Sequence, residues 1–163
     1  RSRIPRYREL EEEVERTVEE INRGLQNKHW RPILLLKAHR NHREIWPFYR
    51  WADFCMVTSL HDGMNLVAKE FVSVREDEDG VLILSRFTGA ARELRDAVLV
   101  NPYDVDEMAE ALRAVIEMPA AERRSRMARM RQVLREHNIY RWAGHLLSEL
   151  SRFPVGELGA RER

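Results

Sequence analysis

Cysteine, long apolar runs and net charge are what this sequence has least of. Cys55 is the one thiol in 163 residues, so no disulfide can form within the chain. That is typical of a reducing compartment, and we expect a cytoplasmic protein. No apolar run approaches the roughly 18 to 20 residues that a membrane-spanning helix needs. The first residues, RSRIP, also lack the apolar core of a signal peptide, and we expect no membrane partner.

Positive and negative charges nearly cancel. Lysine and arginine number 28 and aspartate and glutamate 27, which leaves a formal net charge of +1. A surface that binds nucleic acid carries a clear excess of positive charge, so we expect no nucleic-acid partner. The six histidines fall into no metal-binding spacing such as H-E-x-x-H, and no zinc site is predicted.

Short apolar runs alternate with segments that have apolar residues at helical spacing. This pattern predicts strands at 33–36, 54–57, 81–84 and 97–100, and helices at 7–23, 44–50, 65–74, 89–94, 106–117, 120–136 and 139–150. Pro47 should then lie in the first turn of its helix. The order predicts an α/β fold with a partial Rossmann-like parallel sheet flanked by helices. Residues 152–163 have little periodicity and are predicted to form a loose tail.

The segment TSLHDGMNLVAKEF, residues 58–71, joins a predicted strand to a predicted helix. Ligands of open parallel sheets bind beyond the carboxyl ends of the strands, and the first N–H groups of a helix attract phosphate. Gly63 would let the backbone approach a ligand closely or adopt a positive φ. Asp62 can accept two hydroxyl hydrogen bonds, and Glu70, one turn into the helix, suits a pair of ribose hydroxyls.

An ordinary turn explains the same segment without any ligand. Asp-Gly is a common turn pair, and Asn65 is a good N-cap by itself. Met64 alone indicates little, because methionine more often fills a gap than binds. Spacing alone therefore favours the turn. The segment SRFTGAAREL, residues 85–94, could line the same cleft, but there too a plain turn is favoured.

Longer motifs change this balance. The string DGMNLVAKEFV resembles the donor-sugar signature of the trehalose-6-phosphate synthase family of glycosyltransferases. The segments RSRIPRYREL, HWRPILLL, GVLILSRFTGAAREL, VLVNPYDVDEMAEAL and NIYRWAGHLLSEL also resemble family segments, in family order and spacing. The similarity covers about residues 1 to 151.

The resemblance implies the later part of the C-terminal, donor-binding domain of a two-domain glycosyltransferase of the GT-B type. Residues 1–151 would form a nucleotide-sugar binding domain that is incomplete at its N-terminal side. We expect the family's N-terminal domain to be a missing partner of this chain, and the chain alone to be inactive.

The resemblance also assigns roles to individual residues. In the family pattern, Asp62, which counts as the catalytic position, contacts the donor glucose together with three neighbours, and other positions hold the diphosphate, the ribose, the base and the acceptor phosphate. These positions are Gly63, Met64 and Asn65 for the glucose, the backbone N–H groups of Leu66 and Val67 for the diphosphate, Glu70 for the ribose, Ile45 near the base and Arg1 for the acceptor phosphate.

The implied reaction transfers glucose from a nucleoside diphosphate glucose, UDP-glucose above all, to glucose 6-phosphate. It would retain the anomeric configuration, give α,α-trehalose 6-phosphate and use no metal or other cofactor. Two alternatives remain open. Glucosylglycerol-phosphate synthases share the donor motif and differ in acceptor, and the chain could also be a non-catalytic nucleotide-binding remnant.

Overall fold

The computed structural model describes residues 5–38 and 40–152. The chain consists of two compact units, Arg1–Arg40 and Asn41–Arg163. The position predicted to hold the acceptor phosphate, Arg1, lies outside the described residues. All of the predicted loose tail except its first residue, Arg152, does so as well.

The first unit consists of helix α1, Pro5–Leu25, and an irregular segment. The predicted helix is confirmed, but the strand predicted at 33–36 is wrong. Both backbone hydrogen-bonding groups of Ile33 pair with the side-chain amide of Asn22, with N···O distances of 3.0 Å. A strand needs a neighbouring strand to pair with, and the described residues of this unit contain none.

The second unit is an α/β fold, as predicted. Its elements in chain order are α2 His42–Trp51, β1 Phe54–Val57, α3 Leu66–Val74, β2 Val81–Ser85, the 3-10 helix Gly89–Arg92, β3 Val98–Val100, α4 Val105–Glu117, α5 Ala120–Glu136 and α6 Ile139–Ser151. Across all described residues, no helix combines the length and the apolar character needed to cross a membrane.

The three strands form a parallel sheet in the order β1-β2-β3. Successive side chains of the fully buried β2 point to opposite faces. Leu82 and Leu84 join a core with α3, α5 and the 3-10 helix, whereas Val81 and Ile83 join a second core with α4. Helices therefore cover both faces of the sheet. Because the three strands run parallel, the loops that follow β1, β2 and β3 all lie at the same edge.

Helix α2 begins earlier than predicted. Asn41 and Glu44 form a reciprocal capping box, in which each side chain accepts the backbone N–H of the other, at 2.9 and 3.2 Å. Pro47 consequently lies in the helix interior and not in the first turn.

A buried arginine, Arg75 at the end of α3, ties the end of α2 to the end of α3. The guanidinium of Arg75 donates to the backbone carbonyl oxygens of Tyr49 (3.1 Å) and Ala52, and it pairs with both carboxylate oxygens of Asp77 at 3.0 Å. Because α2 and α3 are joined in this way, the side chains that α2 presents to α3 have a fixed position.

Candidate functional site

The connection from β1 to α3 is a turn held by Asp62. One carboxylate oxygen, Oδ1, accepts the backbone N–H groups of Met64 (3.0 Å) and Asn65 (2.9 Å). The other, Oδ2, accepts the side-chain amide of Asn65 at 3.1 Å. These hydrogen bonds hold the pKa of Asp62 below its usual value, the Met64 N–H having the largest effect. The carboxylate is therefore ionised near neutral pH, directly before the positive end of a helix dipole.

Asn65 gives the turn its shape. Its backbone is left-handed, with φ of 67°, and its side-chain Oδ1 caps α3 by accepting the N–H of Ala68 at 2.9 Å. Asn65 is itself buried and also donates to the Ser59 hydroxyl at 3.3 Å. The predicted N-cap is thus confirmed. The positive φ, considered possible at Gly63, occurs at Asn65 instead, because the asparagine side chain can stabilise that conformation locally.

Gly63 has a different property, which is open space. A Cβ atom built on Gly63 would meet no atom of the described residues within 4 Å. Met64, next to it, is exposed. The outer side of the 62–65 turn is therefore free for a ligand to approach the backbone closely.

The N-terminus of α3 offers two free backbone donors. Among the described residues, the N–H groups of Leu66 and Val67 make no intramolecular hydrogen bond, while Asn65 takes that of Ala68. Leu66 and Val67 are 60% and 44% exposed, so water or a ligand can reach this helix end. Two free N–H groups at the positive end of a helix dipole can bind a phosphate.

Glu70 and Ile45 lie where α3 meets α2. The Glu70 carboxylate is about a quarter exposed and lies 3.5 Å from the Nδ1 atom of His42, the first residue of α2. Ile45, one turn further along α2, packs against the core beneath α3. The structure therefore places Asp62 to Val67 in the turn after β1 and at the start of α3, with Glu70 one turn further along that helix and Ile45 on the neighbouring α2.

The loop after β2 is part of the same site, although its spacing favoured a plain turn. Thr88 forms a parallel bridge with Asp62, and the backbone N–H of Gly89 donates to the carbonyl oxygen of Asp62 at 2.9 Å. Together the two loops line a cleft of about 380 Å³, whose walls include Gly63, Arg86 and Arg92. The available signal was position: both loops follow neighbouring parallel strands, so they had to meet.

An aromatic cluster borders this cleft. The rings of His61, Phe87 and Tyr103 lie 5.7 to 6.4 Å apart, centre to centre, and each comes from a loop after a different strand. The Tyr103 hydroxyl lies 3.4 Å from His61 Nε2. The sequence contained no pattern that would have predicted this cluster.

The lone thiol is not a candidate nucleophile. Cys55 lies within β1, where burial raises its pKa to about 11. Only the thiolate is nucleophilic, and a thiol with that pKa is almost fully protonated near neutral pH.

Comparison with known proteins places this geometry in a family. The sequence model of glycosyltransferase family 20 matches residues 1–152. A trehalose-6-phosphate synthase from Enterobacter sp. is 40% identical over 153 residues, which are 93% of this chain and 32% of that protein. A glucosylglycerol-phosphate synthase from Picosynechococcus sp. is 41% identical over 143 residues, which are 88% of this chain and 29% of that protein. The chain thus spans about a third of the length of these relatives.

Solved structures agree. One is an E. coli structure with UDP-2-fluoro glucose bound. It has a TM-score of 0.90 and 38% sequence identity to this chain, and the match covers 94% of this chain and 34% of the E. coli chain. Another is an α,α-trehalose-phosphate synthase (UDP-forming) from Burkholderia xenovorans in complex with glucose 6-phosphate, with a TM-score of 0.88, 41% identity and coverage of 93% and 33%. The α/β chain built around the 62–65 turn therefore belongs to glycosyltransferase family 20, among the trehalose-6-phosphate synthase type of glycosyltransferases.

Proposed function

We propose that this chain forms the donor site of an enzyme that transfers glucose from UDP-glucose to glucose 6-phosphate, with retention, to give α,α-trehalose 6-phosphate. The observation that carries the proposal is the prebuilt 62–65 turn, which leads directly into two free N–H groups at the start of α3. Glu70 follows one turn later on the same helix. This order matches a nucleotide sugar read from glucose through diphosphate to ribose.

Asp62 has room for one sugar hydroxyl. A carboxylate has about four lone-pair positions, and three hydrogen bonds from Met64 and Asn65 already occupy three of them. We therefore revise the expected two hydroxyl hydrogen bonds to one, made by Oδ2. Gly63 has no side chain, so the glucose ring can lie directly against the backbone of Gly63 and Met64.

The diphosphate would bind at the N–H groups of Leu66 and Val67. When the bond from glucose to diphosphate breaks, negative charge grows on the leaving oxygen, and a helix N-terminus stabilises charge of that sign. The departing diphosphate would then help to deprotonate the attacking hydroxyl. The chain's contribution is electrostatic and positional, and Asp62 and Asn65 make it by holding the turn rigid before the ligand arrives.

The Glu70 carboxylate would accept hydrogen bonds from the two ribose hydroxyls, and Ile45 would lie beside the base. His42 is close enough to the Glu70 carboxylate to limit its movement. Binding of the acceptor belongs to a further domain in this proposal, matching the part of the relatives' length that this chain does not cover. By the family resemblance, Arg1 would help to bind the acceptor phosphate.

Titration calorimetry of the folded chain with UDP-glucose, UDP, ADP and GDP tests the donor site. We expect UDP-glucose and UDP to bind, and an absence of binding of all four at millimolar concentration contradicts the proposal. Glu70→Ala should weaken UDP binding by about 1 to 3 kcal/mol, the usual range for hydrogen bonds to a charged group. Glu110→Ala, on the exposed surface of α4, is the matched control.

An assay of the longer polypeptide that carries this chain tests the reaction. UDP-glucose supplied with glucose 6-phosphate should give trehalose 6-phosphate, whereas product from glycerol 3-phosphate alone would identify a glucosylglycerol-phosphate synthase. Product from neither acceptor contradicts a synthase of either kind.

A further inference from the structure

We infer that Gly89 is a positioning residue that sets the orientation of the 62–65 turn and so determines how well the glucosyl group of the donor is recognised. This inference rests on the proposed function, because it concerns the same turn. Strand β2 ends at Ser85 and is followed by Arg86. Gly89 belongs to the next four residues, which we call the 87–90 loop.

Three backbone hydrogen bonds join the 87–90 loop to the turn. The N–H of Gly89 donates to the Asp62 carbonyl oxygen at 2.9 Å, and the N–H of Ala90 donates to the Met64 carbonyl oxygen at 2.9 Å. In return, the N–H of Asp62 donates to the Phe87 carbonyl oxygen at 3.4 Å. The internal hydrogen bonds of the turn define its shape, but these three fix its direction relative to the sheet.

The contact is too close for any side chain at position 89. A Cβ on Gly89 would overlap the carbonyl oxygen of Gly63 and would lie 2.9 Å from the Gly63 carbonyl carbon. Both are backbone atoms, which cannot move aside as the end of a flexible side chain can. The φ of Gly89 is not in the left-handed region, so space rather than backbone conformation requires glycine here.

An ion pair just beyond the 3-10 helix that begins at Gly89 holds this segment against α3. The Lys69 ammonium lies 2.8 and 2.9 Å from the two carboxylate oxygens of Glu93, and both side chains are partly buried. Lys69 is in the first turns of α3, and Glu93 directly follows the 3-10 helix. The segment from Phe87 to Glu93 is thus attached both to the turn and to α3, and we infer that it fixes the angle between them.

The turn and α3 would contact different parts of the ligand, so the angle between them matters for one part more than for the other. The turn would contact glucose, whereas Leu66, Val67 and Glu70 on α3 would contact the diphosphate and ribose. We expect a bulkier residue at position 89 to displace the turn more than α3, because its Cβ would clash with the Gly63 carbonyl of the turn. Recognition of UDP-glucose should then suffer more than recognition of UDP.

The test is Gly89→Ala in the full chain, with dissociation constants for UDP-glucose and UDP measured by calorimetry or NMR titration. We expect the preference for UDP-glucose over UDP to fall about tenfold or more, since a displacement of about 1 Å can cost up to a hundredfold in a positioned site. A general loss of structure would weaken the binding of UDP-glucose and of UDP by the same factor. An unchanged preference, or an equal loss for both ligands, overturns the inference.

If Gly89→Ala does not fold, as judged by circular dichroism, Glu93→Gln decides the matter. This variant keeps the side-chain shape but removes the charge that pairs with Lys69, and it should lower the UDP-glucose preference in the same direction by a smaller factor. An unchanged preference in that variant overturns the inference. Gly144→Ala is the control, because a Cβ there meets no atom of the described residues within 4 Å and α6 lies outside the proposed site.

The two proposals fail in different ways. If the wild-type chain binds no nucleotide, both the proposed function and this inference are contradicted. A wild-type chain that prefers UDP-glucose, together with a Gly89→Ala variant that keeps the same preference, removes only the positioning role.

Discussion

The guanidinium of Arg75 occupies the space in which a side chain on Gly80 would lie, since a Cβ there would meet Arg75 Cζ at 2.9 Å. Gly80 has φ of 148°, a conformation that side-chain-bearing residues rarely adopt. The acidic turn from Glu76 to Gly80 therefore closes directly over a buried cation. Removing either member of this arrangement should affect the free energy of unfolding.

Replacing Arg75 by methionine should lower the free energy of unfolding by about 1 to 3 kcal/mol for each buried carbonyl left without a donor. The carbonyl oxygens concerned are those of Tyr49 and Ala52. Urea denaturation measures the change. Arg50→Met, at an exposed position of α2, is the control, and an equal effect of both variants would show that only the general loss of a charge matters.

Asn65 should tolerate glycine better than alanine. Alanine loses the cap, which is worth about 1 kcal/mol, and must adopt a left-handed conformation at a further cost of about 1 to 2 kcal/mol. Glycine loses the cap but adopts that conformation freely. Urea denaturation of the two variants should rank Asn65→Gly above Asn65→Ala, and equal stability would contradict a role for the backbone conformation.

Gly63→Ala should weaken UDP-glucose binding without changing stability. Its new methyl group meets no atom of the described residues, so any loss comes from contact with the ligand. We expect a loss of about 1 to 3 kcal/mol, the usual cost of one group too many in a packed site. Calorimetry measures the binding, thermal unfolding checks the stability, and unchanged affinity would place the glucose elsewhere.

Acid should remove the stabilisation that the Asp62 carboxylate provides. Its pKa in the folded chain is below the ordinary value of 3.8, so its contribution is complete above that pH and is lost as the pH falls through the folded value. The difference in free energy of unfolding between the wild-type chain and Asp62→Asn should therefore shrink as the pH is lowered below about 4. Chemical denaturation at a series of pH values measures it, and a constant difference would contradict the assignment.

The sheet and most helices could be predicted because their signals are local. β1 was predicted with its observed bounds, since an apolar run flanked by polar residues leaves little choice. Residues 33–36 look like β1 in sequence, but a strand also depends on a neighbour, which an apolar run does not reveal. Pro47 was misplaced because the capping box, formed by Asn41 and Glu44, starts α2 earlier than the apolar pattern does.

At the site, the sequence indicated which residues take part but not how they divide the work. Gly63 was a natural candidate for a positive φ, yet Asn65 adopts it, because an asparagine can stabilise that backbone with its own side chain. Asp62 was expected to bind ligand hydroxyls, and most of its capacity is used to hold the turn. The close approach of Gly89 to Gly63 joins two distant segments, and no single-sequence pattern reports such a contact.

The two sets of hydrogen bonds at the turn also differ in when they can form during folding. The internal set joins residues no more than six positions apart, so it can form as soon as this stretch of chain is free to move. The set that joins Asp62 and Met64 to the 87–90 loop requires β2 to have paired with β1 first, which is a slower, non-local step. The turn should therefore acquire its shape early and its orientation relative to the sheet late. A chain between these two steps would contain a formed turn without a fixed orientation.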